Sequence, residues 1–136
     1  KIIDGTTLNI LLAGSKDEKQ YFKIFYPLHK RIYDISGMTD VPELITIMQE
    51  SKCVVATDSG SAHVAGAVAK NIISIHGPTN WYQSAPYSTS RNNVKVASLN
   101  LECSPCYDTD IIKKCKKNIC MHDLNANEIF SLIQDF

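Results

Sequence analysis

Asp58, Ser59, Gly60 and Ser61 stand in succession, with His63 two places further on. An apolar run of buried-strand type, residues 53–56, precedes them, and a small-residue helical stretch, residues 61–69, follows. A turn at the carboxyl end of a buried strand, opening straight into a helix, is a place where open α/β sheets bind phosphates. The first amides of the helix have no internal partner and carry the positive end of its dipole. Gly60 lets an anion come close to the backbone. The competing reading is an ordinary strand-to-helix turn, capped by the side chain of Asp58 or Ser59. A hydrolase built on Asp58, Ser59 and His63 is disfavoured, because this spacing around a helix start lacks the elbow of a nucleophilic serine motif.

Two further sets of residues could do chemistry. Gly14 and Ser15 follow the first apolar run, with Glu18 four places after Gly14. Glu18 reads either as a carboxylate for vicinal hydroxyls or as a first-turn acid favoured by the helix dipole. Near the other end, Cys103, Cys106, Cys115 and Cys120 bring four thiols into one loop segment. They can form a structural zinc site, disulfides or reduced thiols. The neighbouring Lys113, Lys114, Lys116 and Lys117 are expected to lower thiol pKa values. Cys53, inside a strand pattern, reads as a core residue.

The elements that must hold these groups alternate. Residues 1–5 read as the end of a helix running into a strand at 8–13. A helix over residues 16–26 is expected next, with Tyr21, Phe22 and Phe25 on one side, and then a strand at 32–35 and a turn at Ser36-Gly37. Residues 42–50 form a helix with Asp40 as N-cap and Pro42 in the first turn. Strands at 53–56 and 71–75 flank the helix at 61–69. A polar loop follows at 84–93, a short strand at 94–97, and a helix at 125–134, with Asn125 as N-cap and Glu128 completing a near capping box. This alternation predicts an α/β fold, a Rossmann-like parallel sheet with flanking helices and right-handed crossovers.

Composition sets bounds. A chain of 136 residues is one domain or less. Its 44% hydrophobic content suffices for one core. Lys plus Arg and Asp plus Glu balance at 14 each, so net charge does not point to nucleic acid. No apolar run approaches the roughly 20 residues of a membrane span, and no signal peptide is recognised.

The ordered set Asp58, Ser59, Gly60, His63, Gly66, Ala67, and then His76-Gly77-Pro78-Thr79, resembles glycosyltransferase family 9. That family, the lipopolysaccharide heptosyltransferases, shows D-[ST]-G-x-x-H-x-x-A-A, a strand, and a F/Y-G-P-T loop. Gly37-Met38-Thr39, Pro42-Glu43-Leu44, the Cys103-to-Cys106 segment, Cys115 and Cys120-Met121 are similar to it too. The resemblance covers the chain from about Leu8 to Phe136.

The resemblance implies half of a GT-B fold. Residues 1–136 would form the C-terminal nucleotide-sugar-binding domain, incomplete at its N-terminal end. The Cys-rich loop 103–120 and a C-terminal helix at 125–135 lie within it. The N-terminal acceptor domain, with the catalytic base, would lie outside the chain. By the same resemblance, Ser59, Gly60 and Ser61 meet the donor pyrophosphate, Asp58 caps the helix or bonds the sugar, His63 meets the phosphate or a sugar hydroxyl, and Glu18, beside Gly14 and Ser15, meets the ribose. Met38 and Thr39 flank the adenine, Gly77, Pro78 and Thr79 count among the donor-binding residues, and Thr79 and Asn80 face the cleft, toward the donor sugar or the acceptor. The implied reaction moves heptose from ADP-heptose to a lipopolysaccharide core acceptor with inversion, and catalysis needs no cofactor. A cytoplasmic site, peripheral at the inner face of the inner membrane, goes with it. The alternatives are another GT-B nucleotide-sugar transferase or epimerase, and a non-enzymatic Cys-rich interaction module.

Overall fold

The computed structural model describes residues 1–136 apart from Tyr26 and Leu28. The chain divides into two compact units, Lys1–Leu44 and Ile45–Phe136. Parallel strands and helices alternate in both, so the expected α/β class holds.

The first unit opens with α1 (Ile2–Gly5) and β1 (Ile10–Leu12), followed by a 3-10 helix (Glu18–Phe25) and β2 (Ile32–Asp34). β1 and β2 pair in parallel, with Ile10 opposite Ile32 and Leu12 opposite Asp34. Arg31 ties the entry to β1: its guanidinium donates to the carbonyls of Thr6 (2.6 Å), Leu8 (3.0 Å) and Ile3. A rigid fork of donors suits this triple contact better than a single ammonium would. The helix expected over residues 16–26 is corrected to the 3-10 helix, and its expected end at Tyr26 lies outside the described residues. The segment buries none of its described residues; Tyr21 and Phe25 are exposed. Short helices depend on packing for stability, and this one has little to hold α geometry.

α2 (Val41–Glu50) runs across the division between the units. Its start follows the expected chemistry. Asp40 Oδ1 accepts from the Glu43 amide at 2.8 Å, while Glu43 Oε2 accepts from the Asp40 amide at 2.9 Å, a reciprocal capping box.

The second unit continues with β3 (Val54–Thr57), α3 (Gly60–Val68), β4 (Asn71–Ile75), α4 (Trp81–Ser84) and β5 (Asn93–Ala97). The helices α5 (Asp110–Lys114), α6 (Ile119–His122) and α7 (Ala126–Gln134) complete it. The strands are parallel in the order β3-β4-β5. β4 is the centre, with Asn71, Ile72, Ile73 and Ser74 all buried, as a strand covered on both faces requires. α3 packs through Ala62 and Ala65, whose small side chains allow a close approach. Gly66 serves the same end, since a Cβ there would lie 2.7 Å from Pro86 Cβ. Asn92, buried, staples the return to β5 by donating to the carbonyls of Gly66 (2.7 Å) and Tyr87 (3.1 Å). Asn125 caps α7 by accepting from the Asn127 amide at 2.9 Å. Lys95 of β5 meets the end of α7 through Asp135 at 2.9 Å and lies over the Phe136 ring.

Candidate functional site

In the first unit, the carboxyl ends of β1 and β2 meet. The Gly37 amide donates to the Gly14 carbonyl at 2.9 Å. Gly37 has φ +67, and a Cβ there would lie 2.9 Å from Lys16 Cα, so both conformation and space require glycine. This join brings Gly14, Ser15 and Glu18 beside Met38 and Thr39. Glu18 Oε2 accepts from the Ser15 amide at 2.7 Å, and the Glu18 amide donates to Ser15 Oγ at 3.3 Å. These bonds from Ser15 hold the exposed Glu18 carboxyl below its usual range. The dipole-and-cap role is therefore realised in Glu18, and one carboxylate oxygen is occupied by it.

In the second unit, the turn between β3 and α3 departs from the capping expectation. Ser59 stands at the N-cap position, yet its side chain makes no cap bond. Its hydroxyl donates to the Thr57 carbonyl and lies 2.9 Å from Ser61 Oγ. Asp58 does not cap the helix either. Its Oδ2 accepts from Ser84 Oγ at 3.0 Å and stands 3.6 Å from His76 Nδ1. The amides of Gly60 and Ser61 have no partner among the described residues, so the positive end of α3 stays open. Gly60 adds room, since a Cβ there would meet nothing within 4 Å. His63 is exposed on α3. Burial pushes the His76 pKa down, against the pull of Asp58 and with a smaller push from His63.

A cleft of about 380 Å³ adjoins this turn, lined by Asp58, Thr79, Asn80, Gln83, Ser84, Tyr107 and Asp108. Thr79 is among these lining residues. Gly77 and Pro78 pack against the Cys-rich segment. A Cβ on Gly77 would lie 2.6 Å from Met121 Sδ and 3.4 Å from Cys120 Sγ. The Gly77 carbonyl accepts from Ser104 Oγ, and the Pro78 carbonyl accepts from the amides of Cys106 and Tyr107. This loop anchors the Cys-rich segment, and through it Tyr107 and Asp108 reach the cleft. Gln83, Ser84, Tyr107 and Asp108 went unrecognised in the sequence. Asn80 offered a signal for α4, because it caps that helix by accepting from the Tyr82 amide. Nothing local marked Tyr107 or Asp108.

The thiols are all free. Among the described residues, no group of three or more His, Cys, Asp or Glu is arranged to hold a metal ion. The expected lowering of thiol pKa values is reversed at Cys106 and Cys120. Burial, then the neighbouring thiols, push both upward, and no lysine acts on either. Cys53, half-buried, is pushed up to about 11 by burial.

The model of glycosyltransferase family 9 (heptosyltransferase) matches residues 2–117. The chain belongs to glycosyltransferase family 9. A family 9 relative from Campylobacter jejuni serotype O:6, lipooligosaccharide heptosyltransferase 2, is 24% identical over 92% of this chain and 40% of its own length. Lipooligosaccharide heptosyltransferase 2 of Haemophilus influenzae is 27% identical over 63% of this chain and 26% of its own length. The chain thus spans about 40% of the first of these relatives. Among solved structures, E. coli ADP-heptose lipopolysaccharide heptosyltransferase II matches with a TM-score of 0.66 at 19% identity, over 98% of this chain and 38% of that one. The family 9 glycosyl transferase of Veillonella parvula matches with a TM-score of 0.66 at 17% identity, over 94% of this chain and 37% of that one. At these identities the structural likeness establishes the fold. Among the described residues, no helix is long and apolar enough to cross a membrane.

Proposed function

We propose that this chain is the nucleotide-sugar-binding part of a GT-B heptosyltransferase. It would serve transfer of heptose from ADP-heptose to a lipopolysaccharide core acceptor with inversion, on the cytoplasmic side of the membrane. The observation that carries the reading is the uncapped start of α3, beside Asp58 at the rim of the cleft. Two free amides on a helix dipole suit a diphosphate and stabilise the charge that grows as it leaves. An acceptor hydroxyl attacks the anomeric carbon, the bond from that carbon to the diphosphate oxygen breaks, and ADP departs with the electron pair. The hydroxyl proton passes to a base that we assign to an acceptor domain outside this chain. Glu18 is assigned to the ribose, Met38 and Thr39 to the adenine, and Ser59, Gly60, Ser61 and His63 to the phosphates. Asp58 and Thr79 are assigned to the sugar. None of these steps calls for a metal.

Calorimetric titration with ADP, and with UDP as contrast, tests the reading on wild type and Gly60→Val. A Cβ at this position meets nothing within 4 Å, so the substitution adds no clash at that atom. ADP affinity is expected to fall by about tenfold or more, the equivalent of one lost charged hydrogen bond. Preference for UDP would replace the donor, and equal affinity in both proteins would remove the diphosphate from this turn.

A further inference from the structure

His76 follows the last residue of β4, with its side chain wholly buried. An imidazole there adds what a phenyl ring lacks, a donor and an acceptor. Its Nε2 lies 2.8 Å from Ser74 Oγ, which is itself buried. Its Nδ1 lies 3.3 Å from Thr79 Oγ1 and 3.6 Å from Asp58 Oδ2. A carboxylate only accepts, so attraction to Asp58 requires the proton on Nδ1. Nε2 then accepts from the Ser74 hydroxyl. The charged groups acting on His76 are Asp58, from the turn after β3, and His63, from α3. Asp58 Oδ2 accepts from the Ser84 hydroxyl of α4 at 3.0 Å and faces the His76 ring at 3.6 Å, a gap that a small shift of the carboxylate would close to a hydrogen bond. Asp58 Oδ1 engages no donor among the described residues. Asp58 and Thr79, the two residues His76 touches on this side, both line the cleft.

We propose that His76 is a positioning residue: as the neutral Nδ1–H tautomer it sets Asp58 and Thr79 in the cleft wall, leaving Asp58 Oδ1 to accept from a hydroxyl of the transferred sugar. The inference rests on the nucleotide-sugar reading of this cleft. It separates the ligand into two parts. The diphosphate is held by the α3 amides, which His76 does not touch, and the sugar depends on Asp58.

The experiment is titration of the full-length protein with ADP and with ADP-heptose, for wild type, His76→Phe and His76→Asn. The ¹⁵N shifts of the His76 ring are read on the wild type. In His76→Phe, affinity for ADP-heptose should fall about tenfold while that for ADP stays within about twofold. His76→Asn should recover most of the loss, because its amide nitrogen replaces the Nδ1 donor. The ¹⁵N shifts should show a protonated Nδ1 and a bare Nε2. The proposal is overturned by an Nε2–H tautomer, by equal loss of both ligands in His76→Phe, by no loss, or by an asparagine variant no better than phenylalanine. Wild-type protein that binds neither ligand removes the nucleotide-sugar reading instead. The ring tautomer then decides on its own whether His76 positions Asp58.

Discussion

His76 Nδ1 stands 3.6 Å from Asp58 Oδ2, joining a wholly buried ring to a carboxylate that lines the cleft. Burial moves the His76 pKa below its ordinary value of 6.5, against the opposing pull of Asp58. In the unfolded chain the ring titrates normally. Below that value the unfolded state binds more protons than the folded one, so stability falls as the solution is acidified. The window opens near 6.5 and closes at the lower folded pKa. Denaturant midpoints measured from neutral pH downward should show this slope in the wild type. His76→Phe should flatten that part of the curve, and an unchanged slope would place the titration elsewhere.

Gly77 packs closely under the Met121 side chain, which would have to move to admit a Cβ. Alanine there would place a Cβ 2.6 Å from both Cγ and Sδ of Met121. Overpacking of this kind costs about 1–3 kcal/mol. Chemical denaturation of Gly77→Ala should read that loss. The double variant Gly77→Ala/Met121→Ala should cost less than the sum of its parts, because the clash is shared.

Glu18 has one oxygen committed to the Ser15 amide. Glu18→Gln keeps an acceptor for that amide but removes the charge, so the turn should persist. If the carboxylate also reads the ribose, ADP affinity falls several-fold, while affinity for inorganic pyrophosphate is unchanged. Stability linked to Glu18 should be lost only as pH falls below 4.5 and through its lowered folded value. An ADP affinity equal to wild type would leave Glu18 with its cap role alone.

Thiol reactivity should divide by burial. Cys103 and Cys115 are exposed, whereas Cys106 and Cys120 are buried with raised pKa values. Iodoacetamide at mildly alkaline pH should modify the first pair well before the second, with Cys53 the slowest. Peptide mapping over time checks the order. Early modification of Cys106 would show that the segment opens from Pro78.

The sequence was most legible where local chemistry acts alone. β4 lies at Asn71–Ile75, the predicted boundaries, because a five-residue run rich in isoleucine and bounded by turn residues is too short for a helix and suits a strand covered on both faces. Asp40 and Asn125 announced their helices because a capping side chain bonds within three residues of itself. The 3-10 helix at Glu18–Phe25 was misread, since the aromatic spacing suggested a buried face that the fold leaves largely bare. Capping by Asp58 or Ser59 stood as the competing reading because their types favour it. Competition from the Thr57 carbonyl and from Ser84 and His76 is invisible along the chain.

The sequence by itself determined the alternation of strand and helix, the family, and the glycine turn at the start of α3. All of these depend on residues near one another in the chain. Only the tertiary structure decided that Tyr107 and Asp108 join Asp58 in one cleft and that Gly77 yields its space to Met121. It alone placed the His76 ring between Ser74, Thr79 and Asp58. The contacts that brought in the tail and Asp58 close loops of tens of residues, and their partners are chosen by packing against β4 rather than by spacing in the chain.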